Sequence, residues 1–130
     1  MKIILTLIFG LTFLSTVAQT SKKFRVDYNY FSIYDPQTEK WEEWKRGDNT
    51  FVINVNENGD IAHIRTSGKM VIYKSLSGVK EGYTTSGKNH YQIIEALDED
   101  GDVFRFQIFD DTSIGLKFMW GSTMIQFAKL

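Results

Sequence analysis

An acidic turn is the part of this chain whose residue types most resemble a metal site. Asp98, Asp100 and Asp102 alternate around Gly101, and alternating carboxylates near a glycine occur in calcium-binding loops. The EF-hand pattern also needs an acid at its twelfth position, which counted from Asp98 is Phe109. We therefore expect a hairpin turn that offers calcium at most a weak site, and no resident metal.

Catalytic arrangements are sparse. The only histidines are His63 and His90, the chain has no cysteine, and a zinc site needs at least three protein ligands. No nucleophile motif surrounds the serines and threonines. Glu42 and Glu43 lie between two tryptophans, and together with Asp98 they leave a small carboxylate-dependent hydrolase as an alternative. The favoured prediction is a protein without catalysis and without a cofactor.

Aromatic side chains are the most informative chemical feature, with ten Phe, six Tyr and three Trp. Several lie in segments of mixed polarity, where Trp and Tyr rings can stack on sugars or contact apolar molecules and proteins. The alternative is that they fill the core of a small barrel or cover its end. The predicted ligand-binding group is Tyr30, Tyr34, Trp41, Trp44 and Tyr83.

Residues 1–18 have the pattern of a signal peptide. A basic start at Lys2 precedes the apolar run 3–14, and small residues follow up to Ala18, after which we expect cleavage. The apolar run is shorter than the roughly 18 residues that a membrane-spanning helix needs, so no integral membrane segment is expected in the mature chain. No cysteine follows the cleavage site to carry a lipid. The prediction is an exported protein, periplasmic or extracellular, and not a lipoprotein.

Charge and cysteine content exclude several classes of protein. Without the signal peptide, 14 basic and 16 acidic side chains remain, a net charge of −2. A nucleic-acid-binding protein would need a clustered basic surface, so no nucleic-acid partner is expected. Without disulfides, packing alone must stabilise an exported domain.

The elements that must position these side chains are predicted to be β-strands. Alternating apolar and polar residues over 24–30 predict a strand, and a change of phase at Tyr30–Phe31 indicates a bulge. Segments 91–97 and 103–109 flank the acidic turn, and a glycine between two such runs predicts a hairpin. Further strands are expected at 51–56, 60–66, 70–76, 82–85, 114–120 and 123–129, with a turn at 46–49.

Eight to ten short strands with short connections predict sequential antiparallel pairing. We therefore predict a single all-β domain over 19–130, a meander that forms a small β-barrel or a barrel-like sandwich, because an open sheet would expose its edges. A closed barrel of about eight strands can hold one small ligand. The turn at Asn56–Asp60 repeats features of the acidic turn, which fits either convergent turn chemistry or duplication.

Four short stretches also resemble a known group of proteins. The segment Ser15–Gln19, the turn Asn58–Ile61, Tyr73 and the turn Asp98–Gly101 together resemble the small uncharacterised exported β-proteins of Bacteroidetes. The resemblance implies an envelope or extracellular location and a compact β fold, and it transfers no active residues.

The predicted function is a non-catalytic binding or interaction module. Its partner would be a small apolar molecule, a glycan or a protein. Besides the hydrolase, the remaining alternative is a structural or inhibitor protein of the cell envelope.

Overall fold

The computed structural model describes residues 22–57 and 59–130, so the predicted signal peptide lies outside the described residues. Within these ranges no helix is long and apolar enough to cross a membrane. The described chain forms ten β-strands: β1 (Phe24–Asp35), β2 (Lys40–Trp41), β3 (Lys45–Ile53), β4 (Ile61–Ile64), β5 (Met70–Ser75), β6 (Lys80–Tyr83), β7 (His90–Leu97), β8 (Val103–Phe109), β9 (Leu116–Trp120) and β10 (Thr123–Ala128).

The strands form one antiparallel sheet that closes into an eight-stranded barrel. Its order is β1, β3, β4, β5, β7, β8, β9 and β10, and β10 pairs back onto β1. The closing ladder runs from Tyr30 opposite Ala128 to Tyr34 opposite Met124. β2 extends the sheet beside the end of β1, and β6 pairs with the first half of β7. The all-β prediction is confirmed, and of its two forms the chain adopts the barrel.

A bulge interrupts β1 where one of its edges pairs with β3, and the other edge of β1 pairs with β10. The register between β1 and β3 shifts between Tyr28 and Tyr30, so Val26 and Tyr28 face the core before the bulge and Phe31 faces it afterwards. This confirms the change of phase predicted from the sequence. Asn29 lies at the bulge, where its Oδ1 accepts a hydrogen bond from the backbone N–H of Leu130 at 2.9 Å.

Alternate residues of the strands fill the middle of the barrel. Phe51, Ile94, Phe106 and Leu116 are fully buried, and burying each such side chain stabilises the fold by about 1.5–3 kcal/mol. The rings of Phe51 and Phe106 meet edge to face at 6.4 Å, and Phe106 meets Phe118 in the same way at 5.2 Å. These rings occupy the centre of the barrel and leave its two ends for cavities.

One predicted turn is wrong, and one predicted strand lies earlier in the chain than expected. Residues 46–49, predicted as a turn, belong to β3. Gly47 faces the interior there, where an added Cβ would lie 2.9 Å from Cε1 of Phe31, so this glycine makes room for a ring. The short strand predicted at 82–85 lies earlier, as β6, and Gly82 in it lies against the ring of Tyr91.

The glycines of two turns have the left-handed conformation that disfavours other residues. Gly101 in the acidic turn and Gly115 before β9 both have φ of +84°. Their surroundings differ. A Cβ on Gly101 would meet open space, whereas a Cβ on Gly115 would overlap the backbone carbonyl oxygen of Phe127.

We expect Gly115→Ala to destabilise the protein more than Gly101→Ala. The alanine at position 101 meets only the backbone strain of positive φ, which costs about 1 to 2 kcal/mol. The alanine at position 115 adds a clash with β10, and the total loss should be about 3 kcal/mol or more. Urea unfolding of the two variants measures the difference, and equal losses would contradict the clash at Gly115.

A second prediction concerns Tyr28, which is 1% exposed. Among the described residues its hydroxyl has no hydrogen-bond partner, and burial raises its pKa. A buried unpaired hydroxyl gives no net stability, so Tyr28→Phe should leave the free energy of unfolding unchanged or raise it by up to about 1 kcal/mol. Tyr28→Ala, which also removes the ring, should lower it by about 3 kcal/mol or more. A clear loss in Tyr28→Phe would show that the hydroxyl has a partner.

Candidate ligand-binding site

The barrel opens at its upper end, which we define as the end where the connections after β1, β4, β7 and β9 lie. A cavity of about 510 Å3 occupies this end, within the range of small-molecule sites in proteins. We call it the mouth cavity, and its lining consists of Phe31, Asn49, His63, Arg65, Thr66, Ser67, Tyr73, Phe118, Ile125 and Phe127.

The walls of the mouth cavity are largely aromatic. Phe31 on β1 lies opposite Phe127 on β10 in the ladder that closes the barrel. Across the cavity, the rings of Tyr73 and Phe118 lie 5.9 Å apart, edge to face, and Ile125 completes the apolar surface. Strand alternation turns each of these side chains inward. The walls therefore combine residues of β1, β5, β9 and β10.

The floor of the mouth cavity is a buried polar pair. His63 Nε2 lies 2.9 Å from Asn49 Oδ1, and His63 is only 7% exposed. The imidazole stacks on the ring of Phe51, with the two ring centres 4.3 Å apart, and Phe127 meets it edge-on. Because an amide oxygen only accepts hydrogen bonds, the neutral imidazole carries its proton on Nε2. His63 lies within segment 60–66, and the strand predicted there is confirmed as β4.

One side chain in the described lining of the mouth cavity is charged at pH 7. Burial, together with the positive charge of Arg65, lowers the pKa of His63 to about 4, so this ring is neutral at pH 7. Burial also raises the pKa of Tyr73, which keeps its hydroxyl protonated. Among the described residues that line the cavity, none is Asp or Glu. Arg65 is therefore the one charged side chain in the described lining, while the carboxylates of the turn after β7 lie at the same end of the barrel outside that lining.

A second cavity of about 510 Å3 lies at the lower end of the barrel. It combines the apolar side chains of Phe24, Ile53 and Val79 with Lys22 and Glu81, besides two amides. Its lining has opposite charges and a single aromatic ring. The mouth cavity has the stronger features of a ligand site, because aromatic walls surround a few converging polar groups.

The aromatic residues predicted to bind a ligand lie elsewhere. Tyr34 and Trp41 meet edge to face at 5.3 Å on the outside of the barrel, where β2 pairs with β1. Trp44 is exposed after β2, Tyr30 is half-buried on β1, and Tyr83 is exposed on β6. The structure brings only Tyr34 and Trp41 of this group together, and none of the five lines the mouth cavity. Their role in binding stays a prediction.

The acidic turn has the carboxylates close together but uses one of them to hold its backbone. Oxygens of Asp98, Asp100 and Asp102 lie within 4.8 Å of one another. Asp98 Oδ1 accepts the backbone N–H groups of Asp100 at 3.0 Å and of Asp102 at 2.9 Å. This is the pattern of an Asx turn, in agreement with the predicted hairpin, and weak calcium binding stays a prediction.

The remaining titratable groups are spread over the molecule. Glu42 pairs with Lys45 at 3.5 Å on the surface, and Glu43 is exposed beside it. His90 lies at the lower end of the barrel, where its Nδ1 is 2.7 Å from Asp110 Oδ2. His63 and His90 therefore lie at opposite ends of the barrel.

Comparison of the chain with protein-family models, with curated proteins and with solved structures found no match.

The environment of His63 predicts a pH-dependent stability. Its pKa is about 4 in the fold and about 6.5 in the unfolded chain, so between these values the unfolded chain binds the additional proton. The free energy of unfolding should fall as the pH is lowered through this window, by about 1 kcal/mol per pH unit at its centre. Urea unfolding between pH 7 and pH 5 should show a shallower fall in His63→Gln than in the parent protein. Parallel curves would contradict the buried neutral imidazole.

Proposed function

We propose that this protein binds a small, largely apolar molecule in the mouth cavity. The observation that carries the proposal is the combination of an aromatic-walled cavity of about 510 Å3 with a few polar groups at its floor and rim. Burial of apolar surface would supply the affinity, at roughly 25 cal/mol per Å2 before the costs of association. The polar groups would orient the molecule.

The depth of the cavity limits the size of the ligand. Phe51 lies beneath His63, and Phe106 packs against Phe51 in the centre of the barrel, so a ligand enters only the upper part. Within the polar pair at the floor, Nε2 of His63 already donates to Oδ1 of Asn49. A ligand therefore meets Phe31, Phe118 and Ile125 along its sides, which favours one or two fused rings or a short chain.

Binding without chemistry fits the polar groups of the lining. The imidazole Nε2 of His63 is used by Asn49, and the hydroxyl of Thr66 donates to the backbone carbonyl of Asp48 at 2.7 Å. Neither arrangement is a nucleophile beside its base. Together with the predicted signal peptide, these features support a binding protein that acts outside the cytoplasm.

A neutral fluorescent dye, phenylnaphthylamine, tests the proposal. We expect its emission to rise on binding, with one dye molecule per chain. Ser67→Trp should weaken this binding, because Ser67 is an exposed turn residue at the rim and a larger side chain there obstructs the entrance. Ile125→Trp should also weaken dye binding, because a larger side chain in the cavity wall takes up space that the dye would occupy.

The matched control is Thr85→Trp, which adds the same side chain to an exposed turn after β6 and should leave dye binding unchanged. Urea unfolding of each variant shows whether it is folded. Absence of dye binding to the parent protein, or equal binding to all three folded variants, would overturn the proposal.

A further inference from the structure

Arg65 is held at the rim of the mouth cavity by its own turn. It follows β4 directly, and its backbone N–H donates to the carbonyl of Lys69 at 2.9 Å, while its carbonyl accepts from Gly68 at 2.8 Å. Gly68 has φ of +85°, which closes this turn. The backbone of Arg65 is therefore fixed relative to the cavity.

The charge of Arg65 has no carboxylate partner among residues 22–57 and 59–130. The described arginine ion pairs join Arg25 to Asp27 and Arg105 to Glu95. Asp98 lies close enough to influence the hydroxyl of Tyr73, but it forms no described ion pair with Arg65, and its Oδ1 accepts two backbone N–H groups. The N–H donors of Arg65 are therefore available to an external anion.

Arg65 lies near a buried hydroxyl of the cavity wall. Arg65 and Tyr73 both line the mouth cavity, and Arg65 is close enough to act on the hydroxyl of Tyr73. A guanidinium has five N–H donors, so several are available to a ligand. Its planar group suits two oxygens of one anion better than an ammonium does.

We infer that the natural ligand of the mouth cavity carries an anionic group, a carboxylate or a sulfonate, that binds Arg65 at the rim. The inference rests on the proposed function of the cavity. The apolar part of such a ligand lies between Phe31 and Phe118, and its charged group stays at the opening, where water reaches it. This orientation leaves the His63–Asn49 pair intact and avoids burying a charge.

Two dyes with the same ring skeleton separate this inference from the proposed function. Anilinonaphthalene sulfonate has the anionic group, and phenylnaphthylamine lacks it. Arg65→Gln should weaken binding of the sulfonate by about fivefold, the effect of a partly exposed charge-assisted contact, and should weaken phenylnaphthylamine binding much less, because that dye has no charged group for Arg65 to bind. Added salt should weaken binding of the sulfonate alone.

The control variant is Lys69→Gln, which removes a positive charge from the same turn without touching the cavity lining. It should leave the binding of both dyes unchanged, and Arg65→Lys should retain part of the sulfonate affinity.

If the neutral dye binds the parent protein but Arg65→Gln does not change sulfonate binding, the inference fails and the proposed function stands. Equal losses in Arg65→Gln and Lys69→Gln would also overturn it, because general surface charge would then explain the binding. If neither dye binds the parent protein, both proposals fail.

Discussion

The ladder between β1 and β10 is the interaction on which the rest of the structure depends. It pairs residues 30–34 with 124–128 and so removes the two edges that an open sheet would leave unpaired. The same ladder brings Phe31 next to Phe127, which gives the mouth cavity a continuous wall. The bulge after Tyr28 changes the phase of β1, so that Phe31 faces the interior where β1 pairs with both β3 and β10.

Much of the fold could be predicted because its signals are local. Segments 91–97 and 103–109 alternate around a turn whose glycine needs positive φ, and both properties are visible in a few adjacent residues. Closure could not be predicted, because alternation is the same in a barrel and in a sandwich. Gly47 was misread for a related reason. It accommodates Phe31 from a neighbouring strand, and a contact between distant residues leaves no local pattern.

The candidate site could be predicted only in part. The strand that carries His63 could be predicted from its segment, 60–66. The partners of His63 could not be predicted, because Asn49 lies on the neighbouring strand β3 and Phe127 on β10, both distant from His63 in the sequence. The aromatic group chosen by residue type contains one true cluster, Tyr34 with Trp41. Residue type alone does not tell whether a ring faces the interior, since that depends on the phase of its strand.

The pairing between β5 and β7 has a consequence for how the barrel comes apart. Two register pairs join these strands, Lys74 with Leu97 and Ser75 with Ala96, and the backbone N–H of Leu76 donates to the carbonyl of Glu95 beyond them, whereas seven pairs join β7 to β8. A closed ring that loses one ladder remains continuous through the opposite side. Loss of the short β5–β7 ladder alone would therefore leave a curled sheet in which the β1–β10 ladder, which shapes the mouth, is intact.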